Sequence, residues 1–171
     1  ADVGGGIGDW DVAGTWDVPG EPYAANDVFV GNGTVTVDEA GSAAATLTVG
    51  HNHSSDAAQN GAGTVTITAG DLTIGGDVAL AAGMQNGTLN LNGGTLHVGG
   101  NIVDGSGTSA LHLSGGTLDL SGGTLDVDML TLASGTLGNV GEINGGADIT
   151  KTTGGTLTLS INDGFYYPGL S

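Results

Sequence analysis

The chain has 171 residues, 36 of them glycine, three proline and none cysteine, which is room for one domain with a continuous core. One basic residue stands against 18 acidic ones, for a formal net charge of −17. That balance excludes a nucleic-acid binder, which needs cations to displace phosphate counterions, and it excludes docking on an anionic membrane. No apolar run approaches the roughly 20 residues that span a bilayer, so no membrane insertion is expected. The partners left open are cations, neutral glycans and other copies of the same chain.

Residues 1–27 form an N-terminal aromatic segment. Trp10, Trp16 and Tyr23 lie in it, with Phe29 just beyond, and the tryptophans are surrounded by Asp9, Asp11 and Asp17. Clustered carboxylates suit a hard cation such as Ca²⁺, although no EF-hand or calcium-solenoid spacing is present. Calcium at these three aspartates is the one cofactor expected. No leader segment is visible, so in a secreted chain Ala1 is expected to be a processed end. Cysteine-free composition fits either a reducing compartment or a bacterial exterior. Lys151 is the sole tryptic site, which suits exposure to proteases.

From residue 28 a four-residue unit recurs: a polar residue, an apolar one, a small polar one, an apolar one. Thr34-Val35-Thr36-Val37, Thr64-Val65-Thr66-Ile67, Thr88-Leu89-Asn90-Leu91, Thr95-Leu96-His97-Val98 and Thr117-Leu118-Asp119-Leu120 are examples. Such alternation turns one set of side chains inward and the other outward. Gly-Gly or Gly-Asp follows, where the chain must turn sharply. The first apolar positions group in threes at 65, 72, 78, then 89, 96, 102, then 111, 118, 125, then 130, 137, 143. Successive triplets start 19 to 24 residues apart, which describes a solenoid coil of three strands and three corners whose variable length sits mainly at the third corner. Residues 28–49 read as one earlier coil and 149–161 as a last, irregular one. About six rungs, roughly 4.8 Å apart, give a core about 30 Å long. A hexapeptide left-handed helix would keep a stricter period, and parallel crossovers favour the right hand. The fold expected is therefore all-β: a single-domain, right-handed parallel β-helix, three-faced, over residues 28–161. A β-sandwich would use Asn32-Gly33 and Asn86-Gly87 as hairpin turns, but the three-strand period argues against it.

Along this body the polar groups offer little chemistry. His51-Asn52-His53 has two possible metal ligands where a structural site wants three or four. His97 and His112 occupy outward positions. Asp126 and Asp128 straddle inward Val127 and both point out, at a separation an inverting hydrolase could use, yet no third acid converges on them. Polysaccharide lyases of this fold lean on Arg or Lys, and here there is no Arg and one Lys. Thr-x-Thr pairs at 34–36, 46–48, 64–66, 66–68 and 156–158 are the pattern of ice-binding solenoids. An ice face needs them stacked on one side in successive rungs. The sequence sets 34/36 and 46/48 on different faces, with interrupting rungs. Three N-x-S/T sequons stand at Asn32, Asn52 and Asn86, where glycosylation is open. No catalytic residue, and so no enzyme, is expected.

All seven aromatics lie at the ends, the second group being Phe165, Tyr166 and Tyr167 in a C-terminal tail, residues 162–171. Open solenoid ends invite strand addition and need protection, so the aromatics read either as caps or as an end-to-end interface. Aromatic side chains are common interface anchors, and a head-to-tail contact that does not close makes a filament.

The run from Trp10 to Trp16, with Pro19-Gly20, Asp27 to Val30 and Thr34 to Val37, resembles the opening of bacterial secreted β-helix proteins with autotransporter-type β-strand repeats. The Gly-Gly-Thr-Leu units at 93–96, 115–118 and 122–125 resemble the body of the same family. The resemblance implies an adhesin, a surface-layer component or an exported scaffold, and it brings no catalytic residues. Together these readings lead to the expectation of an extracellular or cell-surface structural protein. It would self-assemble end-to-end through Trp10, Trp16, Tyr23, Phe29, Phe165, Tyr166 and Tyr167, with an adhesin or glycan-binding segment as the alternative and a polysaccharide-active enzyme as a remote one.

Overall fold

A computed structural model describes residues 2–12, 15–16, 20–52, 60–144 and 156–161. Among them the regular structure is strand, apart from single turns of 3-10 helix such as Ala82–Met84. In chain order the strands are β1 (Asp2–Asp9), β2 (Asp27–Val37), β3 (Ser42–Ala44), β4 (Thr46–Val49), β5 (Gly63–Ile67), β6 (Asp71–Ile74) and β7 (Val78–Leu80). They continue with β8 (Gly87–Leu91), β9 (Thr95–Val98), β10 (Ile102–Asp104), β11 (Ser109–Leu113), β12 (Thr117–Asp119) and β13 (Thr124–Leu125). The last are β14 (Met129–Leu132), β15 (Gly135–Val140), β16 (Glu142–Ile143) and β17 (Leu157–Ile161).

From β3 to β13 each strand pairs in parallel with the strand three steps along, while β2 pairs with both β4 and β5, β1 adds to β2 and β15 pairs with β17, so the chain coils and stacks on itself. The first side carries the Gly33–Val37 part of β2, then β5, β8, β11 and β14. The second carries β3, β6, β9, β12, β15 and β17. The third carries the Asp27–Val30 part of β2, then β4, β7, β10, β13 and β16. Long β2 turns the corner between third and first sides, which joins those two sides into one hydrogen-bonded sheet. The result is a solenoid-like, all-β fold of parallel strands in curled sheets.

The apolar triplets fall into register rung by rung. Val65, Leu89, Leu111 and Leu130 are paired in sequence on the first side. Leu72, Leu96, Leu118 and Leu137 do the same on the second, and Val78, Ile102, Leu125 and Ile143 on the third. All of them are buried except Leu130, which is half-buried against the same core. Alternation therefore set which side chains face inward, and burial of these columns is the main stabilising term.

On the first side coil length departs most from the expected 19–24 residues between β2 and β5. Val35 pairs with Val65, a step of 30, since residues 50–62 separate β4 from β5, with an antiparallel bridge between His51 and Gly61. The third corner is indeed the variable one. Its connections are 50–62, 81–86, 105–108 and 126–128, whereas the first corner needs at most the four residues 38–41. Of the expected last coil only 156–161 lies within the described residues. There β17 pairs with β15 through a register shift between Gly138 and Val140.

Glycine is demanded at the first corner. Gly94 and Gly116 enter β9 and β12 at φ +63 and +69. A Cβ on Gly94 would also sit 2.5 Å from the carbonyl oxygen of Gly70 in the coil before. Positive φ and close backbone approach together leave room for no other residue.

Candidate functional site

The N-terminal end is closed by β1, which adds in parallel to the outer edge of β2, and by the two tryptophans. The Trp10 N–H donates to Thr36 O at 2.8 Å, extending that ladder by one bond. The indoles pack edge to face with centroids 5.2 Å apart, and Trp16 Nε1 donates to Trp10 O at 2.9 Å. Trp10 is 1% and Trp16 6% exposed, so both are core residues of this chain. Their placement is that of a cap, and of the N-terminal aromatics Tyr23 is the one presented outward, 62% exposed on the turn to Asn26. Phe29 is half-buried and lies against His51 with ring centroids 4.8 Å apart. Phe165, Tyr166 and Tyr167 lie outside the described residues.

The three aspartates considered for calcium are not brought together as a described set. Asp9 ends β1 and is exposed, Asp11 is half-buried, and Asp17 lies outside the described residues. Among the described residues no group of three His, Cys, Asp or Glu side chains could hold a metal ion. His53 also lies outside them. The sequon residues Asn32, Asn52 and Asn86 are all exposed, and all three stand on the third corner.

The acidic pair at 126 and 128 flanks buried Val127, as its alternation requires. Asp128, however, is engaged with the coil before it. Its Oδ2 accepts the Ser109 N–H at 3.1 Å, and the Ser109 Oγ accepts the Asp128 N–H at 2.8 Å. Ser109 is fully buried in the column of Gly63 and Gly87, so a hydroxyl there must be bonded. Asn144 forms a second clamp of this kind: its Oδ1 accepts from Val127 N and its Nδ2 donates to Val127 O, both at 2.8 Å. A third series runs up the second corner. Asp77 Oδ1 accepts the Asn101 N–H at 2.7 Å, and Asn101 Oδ1 accepts the Thr124 N–H at 2.9 Å. These side chains act as rivets between coils, each satisfying a backbone donor that a corner leaves unpaired.

His97 and Asp119 are neighbours in register on the second side, with Nδ1 to Oδ2 at 3.6 Å. Partial burial opposes ionisation of Asp119. Hydrogen bonds from Asn139 Nδ2 at 2.9 Å and Ser121 N at 3.0 Å, and the adjacent imidazole, outweigh it and hold the carboxyl below the ordinary carboxylate range.

The first side differs from the other two in charge. Its outward positions form two columns, Thr34, Thr64, Thr88, Ala110, Met129 and Thr36, Thr66, Asn90, His112, Thr131. No Asp, Glu, Lys or Arg stands in either. Asn90 Nδ2 donates to Thr66 Oγ1 at 3.3 Å along the second column. Thr46 and Thr48 do lie on a different side, the third, as expected. The expectation of interrupting rungs is corrected for one pair of coils, where Thr34 and Thr36 stack directly on Thr64 and Thr66, while Thr158 lies on the second side. Residues 50–62 separate them in sequence, and β4 and β5 are consecutive among the described strands.

Comparison with known proteins finds no match to a family model, to a curated protein or to a solved structure.

Proposed function

We propose that this chain is a non-catalytic structural protein of the cell exterior. In this reading it is a right-handed, three-sided parallel β-helix whose copies join end to end into a filament or surface lattice. One observation carries the proposal: the two ends are finished differently. The N-terminal coil is closed by β1 and a buried tryptophan pair. At the other end β17 has its only described partner in β15, and Leu159, in register with core Leu137, is left 36% exposed. Among the described residues β17 is paired along one edge only, and a parallel edge with a core-column leucine is suited to receive a further strand. The polar side chains support the same reading, since Asp128, Asn144, Asp77 and Asn101 are spent on joining coils. Secretion accords with the high acidity and with the family resemblance of the repeats. Calcium, if it takes part, would bridge the acidic ends, because net charge alone drives copies apart.

Negative-stain microscopy of the purified chain, with and without calcium, tests this. Filaments are expected, and deleting residues 165–171 should abolish them if the tail crosses into the next copy. Discrete particles at high concentration under both conditions would sink the proposal.

A further inference from the structure

The −17 chain distributes its carboxylates unevenly, and that unevenness marks an interaction surface. On the second side Asp71 and Asp119 occupy strand positions, and on the third Asp27, Asp104 and Glu142 do. Across β2, β5, β8, β11 and β14 the first side has none. Carboxylates frame it instead: Asp9 of β1, in register with Thr36, and Asp38, Glu39 and Asp128 at its two corners. Both methionines of the chain are exposed, Met129 (49%) in the first column of this side and Met84 (78%) at the third corner beside it, in the turn leading into β8. Exposed thioethers adapt to varied contact surfaces. Hydroxyl and amide ladders can pair across a sheet-to-sheet contact without burying a charge.

We infer that the first side is a lateral contact between copies of this chain. It rests on the end-to-end reading for its strength, as the area shows. Five strands roughly 4.8 Å apart, each about five residues at about 3.3 Å, present roughly 300 Å². Two such faces bury roughly 600 Å², about half of what a stable isolated pair needs. A single pair is therefore weak, while filaments repeat the contact at each copy and hold by multivalency. A like-charged second copy meets least repulsion here, and salt strengthens the contact by screening the framing carboxylates.

The chain has no cysteine, so single cysteines report on proximity without interference. Thr88→Cys on the first side is compared with Thr73→Cys on the second, where Thr73 is the more exposed residue. Under mild oxidation at raised salt, Thr88→Cys should form disulfide-linked dimers at least about ten-fold faster, a preference of about 1.4 kcal/mol. Adding Thr66→Asp to Thr88→Cys should remove the excess while the melting temperature shows the fold intact. Equal rates, or faster dimerisation through Thr73→Cys, would overturn the inference. So would equal rates accompanied by Thr66-dependent co-sedimentation with an insoluble neutral polysaccharide, an outcome that gives the surface to a glycan. Microscopy of the same samples separates the two ideas. A first-side preference without filaments defeats the end-to-end reading alone, and single unpaired filaments without that preference defeat the lateral contact alone.

Discussion

Gly116 and Gly41 separate two costs that a glycine carries. Both enter second-side strands at positive φ, but a Cβ on Gly41 would meet nothing within 4 Å, whereas on Gly116 it would strike the backbone of Gly94. Gly41→Ala should lose about 1–2 kcal/mol from the left-handed conformation alone. Gly116→Ala should lose more, visible as a lower urea midpoint than Gly41→Ala at unchanged slope. Asp119 carries a pH signature. Its folded-state ionisation lies below the unfolded value of about 3.9, so its stabilisation is complete above that value and is lost as pH falls through the lower, folded one. Thermal melts of the wild type and Asp119→Asn should therefore converge on acidification. A constant gap down to the lowest pH would show that Asp119 is not the group responsible.

At the scale of the strand and corner, what the sequence showed and what it hid follow one rule. Inward columns were legible because alternation is local: the triplets at 65, 72, 78 and their successors needed no knowledge of neighbours. The cross-coil clamps were hidden because they depend on which residue lies one coil away, and coil length varies. Asp128 reads as an outward acid until Ser109 is known to lie beside it. The stacking of Thr34 and Thr36 on Thr64 and Thr66 was missed because the step of 30 residues between them is longer than the other coils on that side. One hint was available, in that Gly-Gly precedes Asp77, Asn101 and Thr124 alike. Ser109→Ala leaves the Asp128 N–H without its acceptor and should cost about 1–3 kcal/mol by chemical denaturation. Core truncation is more severe: Leu96→Ala, fully buried between Leu72 and Leu118, should cost about 2–5 kcal/mol.

For the whole molecule, each coil touches only its neighbours, so stability is close to a sum over adjacent pairs. Amide exchange should be slowest in β8 and β9, which have coils on both sides, and fastest in β17, whose described partner is on one side only. The third corner has a practical consequence of its own. Its connections shorten steadily from thirteen residues to six, four and three along the chain, while the strands on either side keep their register. That corner is a port for foreign peptide. Lengthening the four-residue turn 105–108 to sixteen doubles it twice and should cost about 1.2 kcal/mol in closure entropy, a small loss for a rod that would then carry a grafted epitope at a fixed height on its side.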